Sequence, residues 1–306
     1  MGVGFGFVSI CLSEWRCSPA GHVTVKSLEG LEREGQIERI RATSRRNLEN
    51  TLRIIHFLRA HQIPLYRMSA QLIPLATHPA TDGWSWWEDP ELLPLMAEIG
   101  QRVAETGVRI SSHLPEVCVL TASDPAKLQW VHRYLAYHRR LFEAMGLGPQ
   151  AKILLHLGGA GRHRERALEQ AATTIRSLDP WARERLCLEN DDKTFSAAEV
   201  LRLCQDLQLP MVFDYHHHVC RNDGEDFREL LPQIFATWHD RPPKIHLSSP
   251  RSEGQPRAHA DYVDPEFVRP VVAYARTLGD FDIMVEAKKK DLAMFRLQQD
   301  LAELLR

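Results

Sequence analysis

LCLENDDKTFSAAEVLRLCQDLQLPMVFDYHHH, residues 186–218, holds two short apolar runs, Leu186–Glu189 and Met211–Asp214, on either side of an amphipathic segment, Ala197–Leu207. Val200, Leu201 and Leu207 lie along one side of the middle segment, as in a helix resting on a core. A strand, a helix and a second strand in that order read as a crossover unit, which makes the two strands parallel. Each run closes on a carboxylate, Glu189 and Asp214, and the second continues into His216, His217 and His218.

The same alternation continues in both directions. Further strands are expected at Gly6–Ile10, Leu65–Ser69, Val108–His113, Lys152–Leu157, Lys244–Leu247 and Phe281–Ala287. Amphipathic segments such as Asn47–Ala60 lie between them, and Asp124-Pro125 and Asp264-Pro265 place an N-cap aspartate before a first-turn proline. Eight strands with helical crossovers predict an α/β fold, a single (β/α)8 TIM barrel. Such a barrel typically takes about 250 residues and would use residues 1–306 as one catalytic domain. Long loops are expected at 12–43 and 70–89, and the Pro-, Gly- and Trp-rich second one reads as substrate-facing.

Composition narrows the function classes. The chain is 44% hydrophobic and 25% charged, with no apolar run long enough to span a bilayer. Six cysteines without a C-x-x-C pair suit reduced thiols and a cytoplasmic location, and the N-terminus lacks the features of a secretory signal. A net charge of −2 argues against indiscriminate nucleic-acid binding, although Arg45-Arg46, Arg139-Arg140, Arg162 to Arg166 and Lys288 to Lys290 are local basic clusters. Fifteen histidines are many for this length.

In a barrel of this kind the active site lies where the strands end. His113, His156, Glu189, Asp214, His246 and Glu286 fall in or at the ends of six of the eight strands. The following loops add His78, the histidine run at 216–218, and His259 with Asp261. Each alone has an ordinary explanation: a satisfied core histidine, a helix cap, a loop-ordering carboxylate. Together around one rim they are costly to bury unless cations pair with them, which points to a metal site. Imidazoles and carboxylates without thiolate favour zinc or manganese. A bridging carboxylate, for which Glu189 is the candidate, suits two or three ions about 3.5–4 Å apart; such clusters hydrolyse phosphodiesters by lowering the pKa of water and clamping the attacking and leaving oxygens.

The segments RNLENTLRIIHFLRAHQI (46–63), YRMSAQLIPLATHP (66–79), LHLGG (155–159), LENDDKTF (188–195), VFDYHHH (212–218), PPKIHLSSPR (242–251), AHADYVDP (258–265) and MVEAKKKD (284–291) give the chain a more specific likeness. In these it resembles the UV damage endonucleases, relatives of the endonuclease IV group of abasic-site nucleases. The resemblance implies a metal-dependent DNA repair hydrolase acting on damaged double-stranded DNA. Such an enzyme cuts immediately 5′ of a lesion such as a UV photodimer and leaves a 3′-hydroxyl and a 5′-phosphate. It implies that His78, His113, His156, Glu189, Asp214, His217, His246, His259 and Glu286 are metal ligands, with manganese as the expected ion and zinc or magnesium as alternatives. Lys244 matches a family lysine that can carry a carboxyl group; an anionic carbamate would remove the conflict of a lysine beside metals. Glu189 and Lys244 are thus the expected catalytic residues, and a monomer is expected.

One segment departs from the resemblance. Where the family usually has His-Pro-Gly-Gln followed by Tyr or Phe, a pair that probes the damaged bases, this chain has His113-Leu114-Pro115-Glu116-Val117. Glu116 brings negative charge near phosphates, and Val117 cannot stack on a base. Trp84, Trp86 and Trp87, with Gln71 in the same loop, are alternative substrate-binding candidates, against the plainer reading that the tryptophans pin their own loop. Competing functions are a sugar isomerase or an abasic-site endonuclease of the same barrel superfamily, and a binding module without turnover.

Overall fold

The computed structural model describes residues 2–239 and 241–305. Eight parallel strands close into a barrel: β1 (Gly4–Val8), β2 (Leu65–Met68), β3 (Arg109–His113), β4 (Lys152–Leu155), β5 (Leu186–Glu189), β6 (Met211–Asp214), β7 (Lys244–Leu247) and the last barrel strand, β10 (Asp282–Val285). Around the barrel each strand pairs with its sequence neighbours and β10 closes onto β1, with Phe5 opposite Ile283. The expected barrel is the fold formed. Every residue of β5, β6, β7 and β10 is buried, as strands covered on both faces must be.

Helices α1 (Arg33–Ala60), α2 (Leu93–Thr106), α3 (Pro125–Ala144), α4 (Arg164–Ser177), α5 (Pro180–Arg185), α6 (Ala197–Leu207), α7 (Tyr215–Cys220), α8 (Phe227–Ala236), α9 (Pro265–Leu278) and α10 (Lys290–Asp300) connect the strands and close the chain. The caps act as their sequences suggest. Asp124 accepts from Ala126 N and Asp264 from Glu266 N, each with proline in the first turn, and Ser196 with Glu199 forms a capping box on α6. These caps fix where each chain segment turns from a strand end into its helix, and so set the length of the rim loops.

The loop expected over 12–43 is shorter than that, because α1 already begins at Arg33. Residues 33–46 are mostly charged or polar, so Ile37 and Ile40 leave little apolar periodicity to read, yet Arg, Glu and Gln are good helix formers. Ile40 is fully buried against Val23 and Leu28 and docks the added turns. Residues 250–259 hold an unanticipated antiparallel hairpin, β8 (Pro250–Ser252) and β9 (Gln255–His259), which stands on the rim after β7. At the opposite end of the barrel Arg109 Nε donates to Asp282 Oδ2 at 2.7 Å, placing a charged pair below the core layers. No helix among the described residues is long and apolar enough to cross a membrane. All six cysteines are unpaired.

Candidate metal centre

The candidate rim ligands come from strands whose registers bring them level. Asp214 of β6 pairs with His246 of β7, and His246 in turn with Met284 of β10, two residues before Glu286. Ligand atoms of His113, His156 and Glu189 lie within 4.8 Å of one another, and those of Glu189, Asp214, His246 and Glu286 do the same. Glu189 is common to both groups. His217 and His259 line the same cavity as His113, His156, Glu189 and Glu286. Gly158, with φ +101°, lets the chain turn sharply after His156 in a conformation that side chains rarely adopt.

Backbone carbonyls orient three of the imidazoles. His113 Nδ1 donates to Leu114 O at 2.7 Å, His217 Nδ1 to Asn190 O at 3.0 Å, and His156 Nδ1 to Glu189 O at 3.3 Å. A carbonyl only accepts, so each Nδ1 carries a proton and Nε2 is the nitrogen left to a metal, on His217 once it gives up the second proton that its raised proton affinity implies. His113 Nε2 then faces Glu189 Oε2 at 3.2 Å. Two lone pairs that close require a shared cation or proton. His246 is held differently, with Nδ1 2.9 Å from Glu189 Oε1 and 2.8 Å from Glu286 Oε1. Asn190 secures the frame: its Oδ1 accepts from Asp214 N at 3.0 Å and its Nδ2 donates to Asp214 O at 2.9 Å, locking β5 to β6.

Charge balance shows in the proton affinities. Burial opposes charge on the Glu189 carboxyl, but the imidazoles of His246 and His156 beside it hold it well below the usual carboxylate range. Burial likewise opposes charge on Glu286, and the Arg67 guanidinium and His246 hold it well below that range too. Burial works against protonated His246, yet Glu189 and Glu286 push it up to about 9. His217 rises to about 9 against its burial through Asp214, Glu189 and Glu286. Burial lowers His156. The centre is a knot of carboxylates that draws in positive charge.

Three buried atoms in this knot have no hydrogen-bond partner: Glu189 Oε2, Asp214 Oδ2 and His246 Nε2. Buried polar atoms left unpaired are costly, and three in one cluster are satisfied together by cations. The donor set of nitrogen and carboxylate oxygen without sulfur fits divalent zinc or manganese. The residues present could therefore hold metal ions.

Other expected site residues lie apart. His78 is in neither tight group and does not line the shared cavity; its Nδ1 accepts from Ala80 N at 3.0 Å, capping a 3-10 turn, and it lines a neighbouring cavity with Gln71, His22, Trp130 and Tyr134. The tryptophans pin their loop. Trp86 is 3% exposed and stands 5.4 Å from the Tyr137 ring, Trp84 Nε1 donates to Asp89 Oδ2 at 2.9 Å, and Arg140 lies over Trp87 at 4.7 Å. Trp86 is therefore not presented as a wedge, because the loop uses it as core. Glu116 lines the cavity and Val117 is exposed on the rim. Lys244 points into the barrel and is buried; burial lowers its proton affinity, and the acidic group acting on it most is Asp282, its partner in the sheet register. In the histidine run only His217 faces the cavity, since His216 spends both nitrogens on Ser248 Oγ and Pro256 O, each at 2.7 Å.

Arg67 escaped the sequence reading. It sits in β2, largely buried, with Nη1 on Glu286 Oε1, and lines the cavity. The available signal was a charged residue inside the otherwise apolar strand LYRM.

Comparisons with known proteins agree with this geometry. The profile described as UV-endonuclease UvdE matches residues 3–306. A UV DNA damage endonuclease from Bacillus thuringiensis subsp. konkukian (strain 97-27) is 39% identical over 303 residues, covering 98% of this chain and 95% of the relative. The crystal structure of SacUVDE superposes with a TM-score of 0.86 at 28% identity, covering 99% of both chains. A D-tagatose 3-epimerase-like protein, at 13% identity, a TM-score of 0.54 and coverage of 82% and 91%, shares the fold alone. The barrel, its rim of converging imidazoles and carboxylates, and a match that runs nearly end to end make this chain a member of the UV-endonuclease UvdE family.

Proposed function

We propose that the chain is a metal-dependent endonuclease of DNA repair, which hydrolyses the phosphodiester immediately 5′ of a lesion such as a UV photodimer and leaves a 3′-hydroxyl and a 5′-phosphate. The observation that carries it is the trio of buried, unpartnered atoms on Glu189, Asp214 and His246, converging at the rim of a barrel of this family. Two or three divalent ions, manganese foremost, would there lower the pKa of a water molecule and clamp the attacking and leaving oxygens. His113, His156, Glu189, Asp214, His217, His246, His259 and Glu286 are the ligands in this reading, with Glu189 serving both groups.

The chain's own residues do the positioning. Arg67 fixes Glu286, and the carbonyls of Leu114, Asn190 and Glu189 fix three imidazole planes, so the ligands need little rearrangement. Lys193 and Arg257, both exposed beside the cavity, offer positive charge to the backbone phosphates that flank a cut. No side-chain nucleophile is required. A carbamate on Lys244 belongs to this reading and would add the mass of one carbon dioxide to the intact protein.

The test is incision of short duplexes carrying a photodimer, a 6-4 photoproduct, an abasic site or no lesion, with manganese, the cut mapped at nucleotide resolution. Cutting 5′ of the photodimer, abolished by a chelator and restored by manganese, is the expected result. Uncut lesion duplexes throughout would refute the reading.

A further inference from the structure

The turn that leaves β1, Cys11–Cys17, holds a tryptophan out in water. Trp15 is 75% exposed, the most exposed large apolar side chain among the described residues. Its loop is nonetheless firmly built. Cys11 N donates to Cys17 O at 3.3 Å and closes the base. The buried carboxylate of Asp291 accepts from Leu12 N at 2.7 Å and Ser13 N at 3.0 Å. Arg53 Nη2 reaches Trp15 O at 3.0 Å. Arg16 takes the left-handed conformation, φ +50°, unusual for a side-chain-bearing residue, and its guanidinium lies 4.3 Å from the centre of the Trp15 ring. A floppy loop could fold its ring down onto the core; this one is anchored so that the ring points outward.

Position selects the partner. β1 ends on the same rim as the ligands, and the anchor Asp291 follows Glu286 by five residues. The ring and the Arg16 guanidinium stacked on it thus belong to a rim-side loop that Asp291 ties to the segment carrying Glu286. Aromatic faces with neighbouring arginine and lysine suit nucleic acid, where bases stack on the ring and cations meet phosphates. The β3 turn cannot serve in this way, since Glu116 and Val117 offer neither a ring nor positive charge.

We propose that Trp15, backed by Arg16, is the base-stacking element with which this chain engages the disrupted stack at a lesion. The proposal rests on the DNA-directed reading above. The experiment uses the full chain loaded with manganese, with Trp15→Ala and Trp15→Phe, and duplexes with and without a photodimer. Trp15→Ala is expected to weaken binding of the photodimer duplex by roughly ten- to one-hundred-fold and of the undamaged duplex by only a few-fold, with Trp15→Phe in between. Tryptophan emission quenched by the photodimer duplex in the wild type should be lost in Trp15→Phe. Unchanged photodimer binding, equal losses for both duplexes, or a change in sedimentation instead, which would mark the ring as a contact between copies, each overturns the proposal. Incision by the wild type is scored separately. Failure to cut would remove the nuclease reading, while the binding ratio still decides the role of Trp15.

Discussion

At the scale of single residues the centre turns on Glu189. Its carboxylate faces His113 through Oε2 at 3.2 Å and His246 through Oε1 at 2.9 Å, so one charge holds two imidazoles and belongs to both ligand groups. Glu189→Gln keeps the shape and removes the charge. Metal affinity should then fall by more than the roughly 10- to 100-fold typical of losing an outer partner, and the proton affinity of His246 should move down, since Glu189 is the first of the two carboxylates that raise it. Metal titration by calorimetry and histidine titration by NMR check the two effects; a variant that binds manganese as the wild type does would count against the shared-ligand role. Glu189 and Asp214 were legible in the sequence because each closes a uniformly apolar strand, where a carboxylate has no packing reason to be. Arg67 was not, because its role depends on Glu286, far away in sequence and brought beside it only when β10 and β2 flank β1 in the closed barrel. Trp15 was not legible either, since exposure and anchoring belong to the folded loop.

At the scale of elements, strands read well and helix boundaries poorly. β5, β6 and β7 have the bounds their sequences suggest, because full burial leaves short runs, apolar up to the closing carboxylate in β5 and β6, and in β7 with apolar Ile245 and Leu247 alternating with Lys244 and His246. The first turns of α1 are held by Ile40 and by the ion pair of Arg41 with Asp89, Nε to Oδ2 2.9 Å, partners supplied by a distant loop. Helix packing is close where α2 meets the end of α3. A Cβ added at Gly100 would lie 1.5 Å from Met145 O, a backbone atom with little freedom to withdraw. Gly100→Ala should gain about 1 kcal/mol of helix propensity and lose more than that to overpacking, typically about 1–3 kcal/mol and here toward the upper end or beyond. The clash wins. Thermal unfolding should occur several degrees lower with the metal content of the folded protein unchanged, whereas a raised melting temperature would mean that the two helices can slide apart.

At the scale of the whole molecule the net charge of −2 conceals a buried carboxylate-rich centre, with exposed Lys193 and Arg257 on its cavity wall, both reaching Asp192. The buried negative charge makes stability depend on what neutralises it. In metal-free protein His217 and His246 titrate at about 9, above the roughly 6.5 of an unfolded chain. A folded-state value raised in this way contributes stability that is fully present below about pH 6.5 and is lost as pH rises through 9. The effect is on the order of 3 kcal/mol for either histidine alone, and less than double for the pair because both draw on Glu189 and Glu286. Glu189 and Glu286 act at the other end: their depressed values contribute stability above the ordinary carboxylate range that is lost as pH falls through their folded-state values. Burial lowers His138, to about 4, and also lowers His156, His216 and His218, so stability falls as pH drops below about 6.5 as well; chelated protein should therefore melt highest near pH 6.5 and progressively lower toward pH 9.5. Saturating manganese should remove the alkaline decline, because the ions supply the positive charge that the protons gave up, and binding near neutral pH should release protons. Melting curves from pH 5 to 9.5 with chelator and with manganese measure both effects; a flat profile in chelator between pH 6.5 and 9.5 would show that the imidazoles are not the counter-charge of the chelated centre.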